Sequence, residues 1–201
     1  MGYTVEFYCL DWKELGKKLG CKDKKLLNSI LEEETQELDL DPDVQKEYKE
    51  ALENILMKDE WLERKKQGAD WAETKEASDG EAMAMVSIVR HIGERIGEMS
   101  HSSAGGEDFR EVFLKEEAKK ALTTSVDLLL LIDRPFFGLQ SPGYPSWGGL
   151  KKSEIKKVLG DTTLEDLPEM DDSDAEAWLY ELVDYLTYAS ESNKDIITLY
   201  L

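Results

Sequence analysis

Residues able to do chemistry are few in this chain, and their spacing converges on no reaction. Two histidines, His91 and His101, and two cysteines, Cys9 and Cys21, occur in 201 residues. Zinc sites favour close ligand pairs such as C-x2-C or H-x3-H, and none of the four has such a neighbour. His91 falls one residue off the apolar stripe of a predicted helix, which suits a boundary histidine. His101 lies in the Ser/Gly-rich stretch Ser100–Gly106, which predicts an exposed loop and a solvated ring. There is no G-x-S-x-G elbow, no P-loop and no G-x-G-x-x-G. The residues therefore assign no catalytic group, no metal ligand and no cofactor. Asp39, Asp41, Asp43 and Glu50 stand at relative positions 1, 3, 5 and 12, as in an EF-hand loop. Val44, however, occupies the position where the sharp turn needs glycine, and Pro42 and Lys46 also depart. This spacing reads as chance in an acid-rich chain.

One segment gathers ligand-type groups. Arg134 precedes residues 135–149, which hold three Pro and four Gly among Phe136, Phe137, Tyr144 and Trp147. Arg134, Tyr144 and Trp147 could line a pocket, because arginine clamps carboxylates or phosphates and aromatics on a turning backbone suit a ligand. That makes a small-ligand binder or enzyme one reading. The other is an ordered crossover that packs its aromatics on the core.

The acids are the stronger signal. The chain has 44 acids and 25 bases, a net charge of −19. Residues 161–201 hold 12 of those acids and a single base, Lys194. A second acid-only run spans Glu32 to Asp43. Such a field repels phosphate backbones and anionic leaflets, so neither direct nucleic-acid binding nor membrane docking is expected. It attracts basic protein surfaces and speeds encounter with them. The candidate partner-binding surface is Glu165, Asp166, Glu169, Asp171, Asp172 and Asp174. The functional expectation is a non-catalytic acidic interaction domain. An immunity- or antitoxin-type inhibitor that caps a basic partner is its specific form.

The elements that must position these groups follow from periodicity and caps. Residues 4–10 alternate as a strand, with Tyr3, Val5, Phe7 and Cys9 on one face. Asp11 predicts the cap of a short helix ending near Gly20, and residues 23–38 a second helix. Asp41-Pro42-Asp43 opens a third, with Tyr48, Leu52, Ile55 and Leu56 inward. Ser78-Asp79-Gly80-Glu81 is a capping box. The helix it starts is predicted to run to about Glu98, with Gly93 and Gly97 allowing close helix packing and Arg90 pairing outward with Glu94. Residues 107–132 read as helical to the apolar run Leu128–Ile132. Ser153–Leu159 is a short helix, Thr163–Asp166 a cap, and Ser173–Glu176 a second capping box. The helix after it turns Ala175, Trp178, Leu179, Leu182, Tyr185, Leu186 and Ala189 inward. Asp195–Leu201 reads as a strand. Strands at both ends with helices between predict an α+β fold, mostly helical, as a single domain over residues 1–201.

Three stretches resemble a known group. Met1-Gly2-Tyr3 leading into a strand, Pro142–Leu150 before Ser153-Glu154-Ile155, and Trp178–Ala189 followed by Asp195–Leu201 are similar to the YfbM-like group of uncharacterised bacterial domains. The resemblance implies an α+β bacterial cytoplasmic domain and brings no catalytic residues with it. The residues themselves add that two cysteines suit a reducing cytoplasm, and that Met1–Glu6 shows no secretory pattern.

Overall fold

A computed structural model describes residues 2–37, 41–67, 74–102, 114–122, 125–170 and 173–201. Strand β1 (Gly2–Cys9) is central, antiparallel to β3 (Glu94–Ser102) on one side and to β6 (Ile196–Tyr200) on the other. Strand β5 (Ser146–Leu150) pairs antiparallel with β6, so the sheet order is β3-β1-β6-β5. Both termini are strands of an α+β domain, as their composition predicts, and the fold makes them neighbours. A separate two-stranded parallel pair joins β2 (Lys75–Glu76) to β4 (Leu139–Gln140).

Alternation along β1 divides the interior into two cores. Val5, Phe7 and Cys9 join Met99, Ile196 and Tyr200, under helices α7 (Lys152–Leu159) and α8 (Ser173–Glu191). Tyr8 points the other way, with Ile197, Leu199 and Trp147. That face is covered by α1 (Trp12–Lys18), α2 (Lys24–Glu37), α3 (Pro42–Met57), α4 (Glu60–Gln67) and α5 (Asp79–Ile92). Helices on both faces of one sheet bury its two apolar surfaces in three layers.

Local chemistry sets several boundaries. Asp41 accepts from the Asp43 N–H at 2.9 Å with Pro42 in the first turn of α3, so the acids once aligned with a calcium loop start and line a helix instead. Asp39 of that set lies outside the described residues. Both bonds of the Ser78/Glu81 capping box are present. Asp11 sits at the start of α1 without capping it. The buried Asp195 supplies that service, accepting from Trp12 N–H at 2.9 Å and from Lys152 N–H at 2.8 Å. One carboxylate thereby holds the first turns of α1 and α7 to the start of β6.

Four expectations from the sequence are corrected. The helix predicted to reach Glu98 stops at Ile92, where the Gly93 N–H closes on Val89 O, and the chain turns into β3. Gly97 is therefore a strand residue rather than a helical one; it leaves room for the ring of Tyr185 that α8 lays on the strand. Pairing passes from Phe7↔Gly97 to Tyr8↔Arg95, so Ile96 is the extra residue of a bulge. Ser100–Ser102 are strand, not loop, and 103–106 lie outside the described residues. Of the helix predicted over 107–132, residues 107–113, 123 and 124 also lie outside. The rest is a wide turn at 114–117, the single turn α6 (Ala118–Ala121) and a 3-10 turn at Leu128–Leu131 capped by Asp127. Finally, the Pro/Gly segment contributes β4 and β5. Its paired glycines are explained by contact: a Cβ on Gly148 would collide with the backbone of Leu130–Ile132.

Candidate functional site

Helix α8 buries Ala175, Leu179, Leu182, Val183, Leu186 and Ala189 against the sheet. Everything that cannot be buried is then forced outward. Tyr180, Asp184 and Tyr188 recur every fourth residue and stand exposed along one stripe, with Glu181 beside them. No lysine or arginine occurs between Ser173 and Glu191. Tyr188 donates to Glu94 Oε1 at 2.7 Å, which fixes its ring across the edge of β3.

The segment before α8 carries the predicted acids. Glu165 and Asp166 sit on the 3-10 turn Leu164–Asp166, which packs beside α8, and Glu169 and Asp174 follow; all four are exposed. Asp171 and Asp172 lie outside the described residues. The turn is stiff. Asp166 Oδ2 accepts from the Thr163 hydroxyl at 2.7 Å and from its N–H at 3.0 Å, and these bonds hold the Asp166 carboxyl below its ordinary pKa. Leu167 is buried, and the Met170 N–H donates to Glu176 Oε2 at 3.2 Å, anchoring the segment to the first turn of α8. Exposed Leu164 adds an apolar contact among the carboxylates. An arrangement of fixed acids and two tyrosines, on a helix without a base, can neutralise and stack against a cationic surface.

Arg134 and Trp147 are backbone neighbours, the Arg134 N–H donating to Trp147 O at 3.2 Å, but both side chains are buried while Tyr144 is exposed, which corrects the ligand-binding expectation. Trp147 belongs to β5 and is fully buried against Phe136. Arg134 is 8% exposed. It donates to Glu154 at 2.6 and 3.2 Å and to Gly149 O at 3.2 Å, with its guanidinium 4.3 Å from the Trp12 ring centre. Burial works to raise the Glu154 pKa, but bonds from Arg134 and the Lys151 N–H hold the carboxyl below its ordinary value. Tyr144 alone stays exposed, edge-on to Tyr3 and Tyr200. The physical reason is that the aromatic segment is itself a strand whose side chains fill a core.

His101 is likewise not solvated. It is buried and stacked on Tyr3 and Tyr200. His91 is partly buried beside the apolar stripe of α5, and its Nδ1 meets Glu33 at 2.7 Å. Arg90 turns away from Glu94 and pairs with Glu6. Burial pushes the Cys9 thiol up to about 11, so it is no nucleophile at neutral pH. Among the described residues no three His, Cys, Asp or Glu side chains are grouped to hold a metal ion.

The Tyr180/Asp184/Tyr188 stripe is the feature that sequence reasoning passed over. Its signal was present: once the inward positions of α8 are assigned, these three are the complementary positions. The family model described as a domain of unknown function, DUF7691, matches residues 1–201. No curated protein and no solved structure matches the chain. Nothing in these comparisons links it to the YfbM-like group.

Proposed function

Because the chain belongs to the DUF7691 family of domains of unknown function, which supplies no activity, we propose from its geometry that it is a non-catalytic acidic interaction domain docking a protein with a basic surface. The observation that carries the reading is the acidic character of α8 and the turn packed beside it: Tyr180, Asp184 and Tyr188 stand exposed on a helix without a base, and Glu165, Asp166, Glu169 and Asp174 are exposed in the segment that leads into it. Tyrosine is enriched in protein interfaces, and a one-signed field raises encounter rates with an oppositely charged partner. The specific form is an immunity- or antitoxin-type inhibitor whose acids cover the basic working surface of a partner enzyme. The free thiols of Cys9 and Cys21 support a cytoplasmic setting. No helix among the described residues is long and apolar enough to cross a membrane.

The test compares the wild-type chain with a Tyr180→Ala/Asp184→Lys variant as bait in cells of its source. Captured proteins are identified at low salt and at about 1 M salt, where the screening length falls to roughly 3 Å. The expected result is a basic protein that wild type retains at low salt, that the variant and high salt both release, and that rebinds when purified alone. Capture that is indifferent to the variant, or a purified candidate that does not rebind, refutes the reading.

A further inference from the structure

On the sheet face opposite α8, a polar cleft of about 390 Å3 opens between β1, β3, α2 and α5. Its size lies within the range of small-ligand sites. Glu6 of β1 is 8% exposed and lines it. Glu6 Oε2 accepts from Tyr8 Oη at 2.9 Å and from Arg90 Nε at 3.0 Å. Its Oε1 accepts from Arg90 Nη2 at 3.0 Å, with Arg95 Nη2 at 3.5 Å. The lone pairs of Glu6 are thus largely taken by the protein, and its charge fixes two guanidiniums beside each other. Arg95 also reaches Glu98 and keeps about half its side chain in solvent, at 47%. From α2, Glu33 meets His91 and leaves 62% of its side chain exposed.

The cleft therefore offers oriented guanidinium donors from α5 and β3 and an open carboxylate from α2. A simple anion enters it against Glu6, Glu33 and a net charge of −19. A simple cation meets two arginines. Only a ligand carrying both charges finds a partner for each. We propose that this cleft binds a small zwitterion of the free amino-acid class, its carboxylate toward Arg90 and Arg95 and its ammonium toward Glu33. The proposal does not rest on the docking face, which lies across the sheet and shares none of these residues.

The test is calorimetric titration of the full chain with the common amino acids one at a time. Acetate, methylamine and inorganic phosphate serve as probes carrying one charge. Arg95→Gln and Glu33→Gln are the variants, because both side chains are well exposed and their loss leaves the Glu6–Arg90 pair intact. At least one amino acid is expected to bind more tightly than any single-charge probe, and each variant to weaken it about tenfold or more, the usual worth of a charged hydrogen bond. Circular dichroism of each variant establishes that it is folded. Binding of phosphate or acetate but no amino acid, no binding at all, or binding that either folded variant leaves unchanged overturns the proposal.

Discussion

Replacing Arg134 by methionine separates a residue that holds the fold from one that waits for a ligand. The change keeps an unbranched chain over Trp12 but removes the guanidinium. Two hydrogen bonds to Glu154 and one to the Gly149 carbonyl are lost, and the Glu154 carboxylate stays 20% exposed without its cation. Breaking a buried pair by deleting one partner costs about 3–5 kcal/mol. Glu154 retains the Lys151 N–H at 2.8 Å and some water, which places the cost at the lower end, about 3 kcal/mol. With a urea m value of about 2.5 kcal/mol/M for a chain of this size, the unfolding midpoint should fall by about 1.2 M. Urea denaturation of wild type, Arg134→Met, Glu154→Gln and the double variant measures it. The double variant should recover part of the loss, since the stranded carboxylate is then gone. A midpoint shift below about 0.4 M, equivalent to about 1 kcal/mol, would refute the clamp. So would losses that simply add.

Burial, then the charge of Glu6, pushes the Tyr8 hydroxyl up to about 12. A raised folded pKa stabilises below the unfolded value of 10.0 and is lost as pH rises from there to about 12, so Tyr8→Phe should flatten the fall of stability in that window. Urea midpoints at several alkaline pH values check this, and parallel curves for variant and wild type would contradict it. Gly148→Ala should destabilise by about 3 kcal/mol, because its methyl meets the backbone of Leu130–Ile132, which cannot rotate away. A thermal midpoint unchanged from wild type would count against β5 lying there. Deleting residues 195–201 removes an interior strand together with Asp195, which holds the first turns of α1 and α7. The product should lose cooperative unfolding by circular dichroism, and a protease-resistant, cooperatively folding product would refute the sheet order.

Much of the architecture is legible wherever one local signal dominates. The Ser78/Glu81 box, the Asp41-Pro42 start and the Thr163/Asp166 turn carry their own hydrogen bonds within a few residues, so reading them needs no partner. Residues 94–102 show the opposite case. Ile92 and Ile96 fit a helical stripe, yet the open edge of β1 pairs with this segment and a bulge at Ile96 absorbs the mismatch. Gly148 and Gly149 read as loop residues because glycine is the common turn former. Here they answer to a backbone contact from residues far along the chain.

The candidate sites divide in the same way. The sequence by itself determined that the acids crowd into residues 161–201 and that α8 must turn its apolar positions inward, because charge and periodicity are properties of the chain. Tertiary structure alone decided which polar groups stay available. It consumed Arg134 in a bond to Glu154, buried Trp147 and His101, and left Tyr180 and Tyr188 outside. It also carried Arg90 and Arg95 across more than eighty residues to Glu6. Whether a guanidinium serves the core or faces solvent depends on which carboxylate the fold brings within hydrogen-bonding reach, and that distance is not written in the spacing of the residues.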